Sequence, residues 1–170
     1  MGAHIWLIGM MGTGKSSVGR ALGDRLGLRF VDTDDIVTSR MGCSIAELFG
    51  SQGEQAFRDM EMAAINEVAG ESSKVVATGG GVVLAPENVR TMRDSGLVVW
   101  LQADAETLWQ RIGNSARRPL LQNEDPLTTL KELLTTRTPI YESAAHVTVA
   151  TGKLELEIVV DRIEELWNAF

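Results

Sequence analysis

Residues 9–16 read Gly9-Met10-Met11-Gly12-Thr13-Gly14-Lys15-Ser16, a G-x-x-x-x-G-K-S string. A short apolar run, Ile5-Trp6-Leu7-Ile8, precedes it, and an amphipathic pattern follows in which Val18, Leu22 and Leu26 recur every four residues. That context decides the reading, because a loop that cradles phosphate has to lie between a strand and a helix. Its glycines let the backbone wrap an anion with successive N–H groups pointing inward, and the helix N-terminus adds the positive end of its dipole. In such a loop, spanning 9–17, the nucleotide-binding positions are Gly12, Thr13, Gly14, Lys15, Ser16 and Ser17. Lys15 is suited to the β- and γ-phosphates of ATP, and the Ser16 hydroxyl to a magnesium ion.

Outward from this string, short apolar runs alternate with helical patterns. Strands are expected at His4–Ile8, Leu28–Val31, Lys74–Ala77, Leu97–Leu101 and His146–Val149. Helices are expected from Lys15 to about Gly27, Gly53 to Ala69, Pro86 to about Asp94, Ala105 to Ile112, Pro126 to about Thr136, and Leu154 to Trp167. Asp32-Thr33-Asp34-Asp35 is a helix-start signature, and Ser44 with Glu47 forms a capping box for a short helix through Phe49. Strands joined by helical crossovers form a parallel sheet covered on both faces. The expectation is a single α/β domain over 1–170, a three-layer α/β/α sandwich on a five-stranded parallel sheet, with P-loop kinase architecture. Ligands bind at the carboxyl ends of such strands, where the phosphate loop, Asp32 and Gly79-Gly80-Gly81 would converge.

Composition narrows the function classes. The chain has 170 residues, 44% of them hydrophobic, and a formal net charge of −7. That charge argues against nucleic acid as a partner and makes clustered arginines informative. One cysteine and two histidines argue against an internal disulfide and a zinc site. No apolar run approaches the roughly 20 residues of a membrane span, and the first strand begins almost at once. A cytoplasmic monomer without a membrane partner is expected.

The residues that carry chemistry lie near those strand ends. The third strand ends Ala77-Thr78-Gly79 without an acid, so Asp32 is the candidate to join Ser16 at the magnesium ion, and Asp34 would face a phosphate acceptor. The alternative is that both simply cap the next helix, but only one residue can occupy the cap, so a second acid here still asks for a role. Arg58 has Glu54 at i−4 and Glu61 at i+3, a spacing that also suits a surface ion-pair ladder. Arg137 lies just past the expected helix end, before Pro139. Arg117 and Arg118 fall in a polar, irregular stretch at 113–125 that reads as a lid, and Arg111 precedes it where it could face a nucleotide base. Gly79-Gly80-Gly81 suggests close approach by a ligand.

With these residues in place the chain resembles shikimate kinase. The resemblance is carried by Gly9–Ser16, Asp32-Thr33-Asp34, Ser44-Ile45-Ala46-Glu47-Leu48-Phe49, Gly53-Glu54-Gln55-Ala56-Phe57-Arg58, Thr78-Gly79-Gly80-Gly81, Arg118-Pro119-Leu120-Leu121, and Arg137 with Pro139 and Tyr141. It implies transfer of the ATP γ-phosphate to the 3-hydroxyl of shikimate, in aromatic amino-acid biosynthesis. It further implies a substrate-binding region at about 33–61. In that region Arg58, with Arg137, would hold the substrate carboxylate, and Asp34 would bind ring hydroxyls and orient or deprotonate the attacking one. Gly80, with Gly79 and Gly81, would approach through the backbone, and Ile45, Phe49 and Phe57 would supply apolar walls. Arg118 would close over the phosphates and Arg111 would stack near the adenine. Lys15, Asp34 and Arg118 would be catalytic. Ala150-Thr151-Gly152-Lys153 departs from the family's pattern in the adenine loop and leaves contacts there unassigned. Other readings are a gluconate or adenylate kinase of the same architecture, or a non-catalytic ATP-binding regulatory module. A GTPase-like switch would need an Asn-Lys-x-Asp segment, which is absent from the sequence.

Overall fold

The computed structural model describes residues 3–113 and 125–170. Five parallel strands, β1 (His4–Ile8), β2 (Arg29–Asp32), β3 (Lys74–Ala77), β4 (Gly96–Gln102) and β5 (Val147–Ala150), form one sheet in the order β2-β3-β1-β4-β5. Between and after them run α1 (Lys15–Leu26), α2 (Thr33–Met41), α3 (Ile45–Ala69), α4 (Pro86–Ser95), α5 (Ala105–Ile112), α6 (Pro126–Ala144) and α7 (Leu156–Ala169). The expected architecture is present.

Alternation along β1 splits the core in two, since successive strand side chains point to opposite faces. Trp6 and Ile8 pack with Ile65 and Val68 of α3, Met92 of α4, and Leu130 and Tyr141 of α6. Ile5 and Leu7 pack with Val18 and Leu22 of α1 and Val159, Val160 and Ile163 of α7. A smaller cluster, built on Val37, Leu48, Phe57 and Ala64, joins α2 to α3. The chain leaves β1 through α1 toward β2 on one side of it and later crosses from β3 to β4 on the other, so a crevice opens above the carboxyl end of β1.

Two helices differ from their expected limits. The capping box at Ser44 and Glu47 forms, but its helix continues into the next as α3, broken only by a non-helical Gly53 (φ 84°, ψ 173°). Glycine alone adopts that backbone without strain. Helix α6 does not stop near Thr136. It runs through Pro139 to Ala144, which places Arg137 inside the helix, buried, on one face with Leu130, Tyr141 and Ala144. The apolar packing of that face outweighs the single helical hydrogen bond that a proline forfeits. The lid expected at 113–125, with Arg117 and Arg118, lies outside the described residues apart from its two ends.

Candidate active site

The phosphate loop leaves β1 with Gly12 and Gly14 in the left-handed region (φ 82° and 92°) and enters α1 at Lys15. Lys15 folds back so that Nζ donates to the carbonyls of Gly9 (2.7 Å) and Met10 (2.9 Å). The ammonium is thereby held at the loop's rim. Thr13 closes the loop by donating its hydroxyl to Met10 O at 2.8 Å. Next to it, Ser16 Oγ donates to Asp32 Oδ2 at 2.9 Å, while Asp32 Oδ1 accepts the backbone N–H of Asp34 at 3.0 Å. Asp32 is therefore both the cap of α2 and the carboxylate that reaches the loop serine. Asp34 is released from capping and lies over Gly79, where an added Cβ would stand 3.0 Å from its Oδ1.

A cavity of about 640 Å³ opens over these groups. The loop from Met11 to Ser17, Asp32, Asp34, Thr78 and Gly80 line its floor, and Arg111, Thr151, Leu154 and Leu156 line its far end. That size suits a nucleotide-like ligand. Arg111 is fixed there by the loop after β5: Nη2 donates to Thr151 O at 2.6 Å and Nη1 to Thr151 Oγ1 at 3.3 Å. Thr151 in turn donates its hydroxyl to Thr13 O at 3.1 Å, tying the far end of the cavity to the phosphate loop. Nothing in the sequence spacing flags Thr151, because its partners lie 40 and 138 residues away.

On the other flank, around the triple glycine, a charged cluster is buried. Thr78 fastens the start of this segment, its N–H and hydroxyl both donating to Leu7 O. Arg58 Nη1 pairs with Glu61 Oε2 at 2.9 Å and Nη2 with Glu54 Oε1 at 3.1 Å. The i−4 and i+3 ladder is thus real, yet its inner member is no surface group, since Glu61 is almost fully buried. Burial pushes the Glu61 carboxyl above its ordinary value, and the nearby Asp34 charge adds to the shift; Arg58 and Arg137 oppose it. Burial works against the charge of Arg58, but Glu61 and Glu54 more than offset it and raise its pKa.

The glycines admit this cluster. A Cβ on Gly79 would stand 2.6 Å from Glu61 Oε1, and one on Gly81 would stand 2.4 Å from Arg58 Nη2. The chain's own charged side chains are what approach closest there, a reason for glycine beyond the expected ligand. Arg137 approaches from α6, with Nη1 3.7 Å from the position of a Cβ on Gly80. Phe49 and Phe57 meet with ring centroids 5.1 Å apart and planes tilted by 43° beside the cluster, and Ile45 packs against the same group.

The fold and these groups fit one family. Residues 11–167 match the family model described as "SKI: Shikimate kinase". A shikimate kinase of Symbiobacterium thermophilum is 44% identical over 164 residues, covering 95% of this chain and 94% of that protein. One of Synechococcus sp. is 44% identical over 166 residues, covering 97% and 82%. The solved shikimate kinase of Acinetobacter baumannii, in complex with shikimate, superposes with a TM-score of 0.95 at 35% identity, covering 99% of this chain and 94% of that one. A Sinorhizobium meliloti gluconokinase shares the fold alone, with a TM-score of 0.62 at 21% identity, over 98% and 94% of the two chains. The chain belongs to the shikimate kinase family of ATP-dependent phosphotransferases.

Proposed function

We propose that the cavity above β1 binds ATP and that the charged cluster beside it binds shikimate, whose 3-hydroxyl accepts the γ-phosphoryl group. The observation that carries this reading is the adjacency of two unlike sites across Gly80. A phosphate loop with its lysine lies on one side. On the other, Asp34, Arg137 and Arg58 come against Gly79, Gly80 and Gly81 in turn.

Arg58 and Arg137 bind the substrate carboxylate, for which a planar guanidinium offers two-point contact. Asp34 takes the ring hydroxyls and orients or deprotonates the attacking one. Gly79, Gly80 and Gly81 let the ring come close to the backbone. The backbone of Gly12, Thr13 and Gly14, with the Ser17 end of the loop, holds the phosphates, while Arg111 lies against the adenine. Lys15 shifts from its loop carbonyls onto the β- and γ-phosphates, and Arg118 closes over them from the lid. Positioning and charge neutralisation then supply most of the rate, since phosphoryl transfer leaves the protein little covalent work.

Ser16 and Asp32 are the residues that would hold a magnesium ion. Their oxygens already lie 2.9 Å apart at the edge of the cavity, and both are hard donors of the type this cation takes. Among the described residues no cluster of three or more His, Cys, Asp or Glu side chains could hold a metal, which suits an ion that arrives with its nucleotide and keeps several waters. When bound, the ion neutralises charge on the β- and γ-phosphate oxygens.

A coupled assay of ADP release with ATP and magnesium tests the reading. Release that depends on shikimate, and not on gluconate or AMP, is the expected result; equal rates with and without shikimate would overturn it.

A further inference from the structure

Tyr141 lies one helical turn after Arg137 on α6, wholly buried, with its ring stacked on Trp100 (centroids 5.7 Å apart, planes 17° apart). Its hydroxyl donates to the carbonyl of Gly80. The Arg137 guanidinium lies close to the same glycine, its Nη1 3.7 Å from the position of a Cβ on Gly80, and its charge acts on the phenol oxygen. Gly80 itself sits against the phosphate loop: a Cβ there would meet Gly9 O and Met11 N at 3.6 Å. One hydroxyl therefore joins the helix that carries a substrate arginine to the segment that separates the two substrates.

We infer that Tyr141 is a positioning residue, one that sets Arg137 and the Gly80 peptide in the geometry that receives the shikimate carboxylate. The inference rests on the reading of the chain as a shikimate kinase with Arg137 at that carboxylate.

The physical argument has three parts. A phenol has one proton and two lone pairs, so donation to Gly80 leaves its oxygen free to accept from Arg137. Both contacts can be made at once only with the ring held in place, which the Trp100 stacking secures. Next, drawing the Gly80 carbonyl toward α6 fixes the Gly80–Gly81 peptide plane, and a trans peptide sends the Gly81 N–H the opposite way, off the helix. A glycine pair without this anchor would sample many orientations. Finally, burial pushes the phenol pKa up to about 12, with Arg137 opposing the shift, so the group stays a neutral donor across the working pH range.

Tyr141→Phe removes the one oxygen and keeps the ring packing. Steady-state kinetics of this variant should show KM for shikimate raised about tenfold, with KM for ATP within about twofold of wild type. Calorimetric titration with shikimate alone should report the same tenfold weakening. In an Arg137→Ala background the further change to Phe should add much less than tenfold, because only the Gly80 peptide remains for it to position. A packing role alone would lower the thermal midpoint and leave this split between the two KM values absent. Unchanged shikimate KM in Y141F, or a full tenfold effect persisting beside R137A, overturns the inference. A wild-type chain that turns over no shikimate overturns the reading beneath it and this one with it.

Discussion

Glu61 Oε2 stands 2.9 Å from Nη1 of Arg58, three residues earlier on the same helix, with 1% of the glutamate side chain exposed and 16% of the arginine's. Such a pair costs desolvation on both sides and holds only while the charges face each other. Arg137 and Asp34 act on the same carboxyl from α6 and from α2, so its protonation state reports on the whole charged cluster.

A pH dependence follows. The folded state raises the Glu61 pKa above the ordinary 4.5, so between that value and the folded one the native protein binds more protons than the unfolded chain. Stability from this group therefore falls as pH rises through that window. The carboxyls with lowered values, Glu47, Glu71, Asp104, Glu106 and Asp125, gain their stability below it. His4 and His146, lowered by burial, pull the opposite way up to 6.5. Comparing Glu61→Gln with wild type isolates the glutamate. The variant's thermal midpoint should gain on wild type as pH rises above the ordinary glutamate value of 4.5. A constant difference across that range would show that Glu61 does not titrate in the window.

Two glycine-to-alanine changes should fail in different ways. At Gly81 the added Cβ meets the Arg58 guanidinium at 2.4–2.7 Å, the far end of a flexible side chain. Gly81→Ala should push Arg58 aside, raising KM for shikimate about tenfold or more while the fold persists. At Gly96 the added Cβ meets the His4 backbone at 2.0–2.7 Å, at the first pair of the β1–β4 ladder. Gly96→Ala should lose several kcal/mol of stability, since strands cannot separate without breaking the ladder. Thermal melts beside shikimate kinetics distinguish the two lesions, and a stable Gly96→Ala enzyme would contradict the strand packing described here.

What could be read from the sequence was local. The phosphate loop, the Ser44–Glu47 capping box and the restart of the helical pattern at Gly53 all depend on neighbours within a few residues. What could not be read depends on partners far along the chain. Pro139 looked like a helix end because the face formed by Leu130, Arg137 and Tyr141 has meaning only once β4 lies beneath it. Glu61 looked like a rung of a surface ladder because i+3 spacing is the same whether or not Asp34 and Arg137 arrive to bury it. The Tyr141–Gly80 link joins residues 61 apart. Arg111 and Asp32 both line the cavity over the phosphate loop, but the Thr151 bridge that anchors Arg111 needed β5 beside that loop.

If Asp34 takes the acceptor hydroxyl as proposed, its charge should matter in the transition state more than in the bound complex. Asp34→Asn preserves size and one acceptor oxygen. Its kcat should fall about a hundredfold or more, the usual worth of a positioned proton acceptor, with a smaller change in KM for shikimate. Unchanged turnover in rapid-quench or steady-state assays would remove Asp34 from the chemistry and leave it a binding group only.

Asp32 offers a cleaner test of the magnesium site, because its two oxygens have separate tasks. Oδ1 caps α2 through the Asp34 N–H, and Oδ2 meets the Ser16 hydroxyl. Asn is as good a helix cap as Asp, so Asp32→Asn should keep the oxygen that accepts the Asp34 N–H and keep α2 in place. The substitution removes the negative charge, which is what a hard divalent cation, bound directly or through water, is attracted to. The thermal midpoint without nucleotide should then lie near that of wild type, while the magnesium concentration for half-maximal rate rises about tenfold at fixed ATP. Asp32→Ala loses the cap too, at about 1 kcal/mol, and should melt earlier as well as needing more magnesium. An Asp32→Asn enzyme with an unaltered magnesium requirement would confine Asp32 to capping and leave Ser16 as the chain's own contact with the ion.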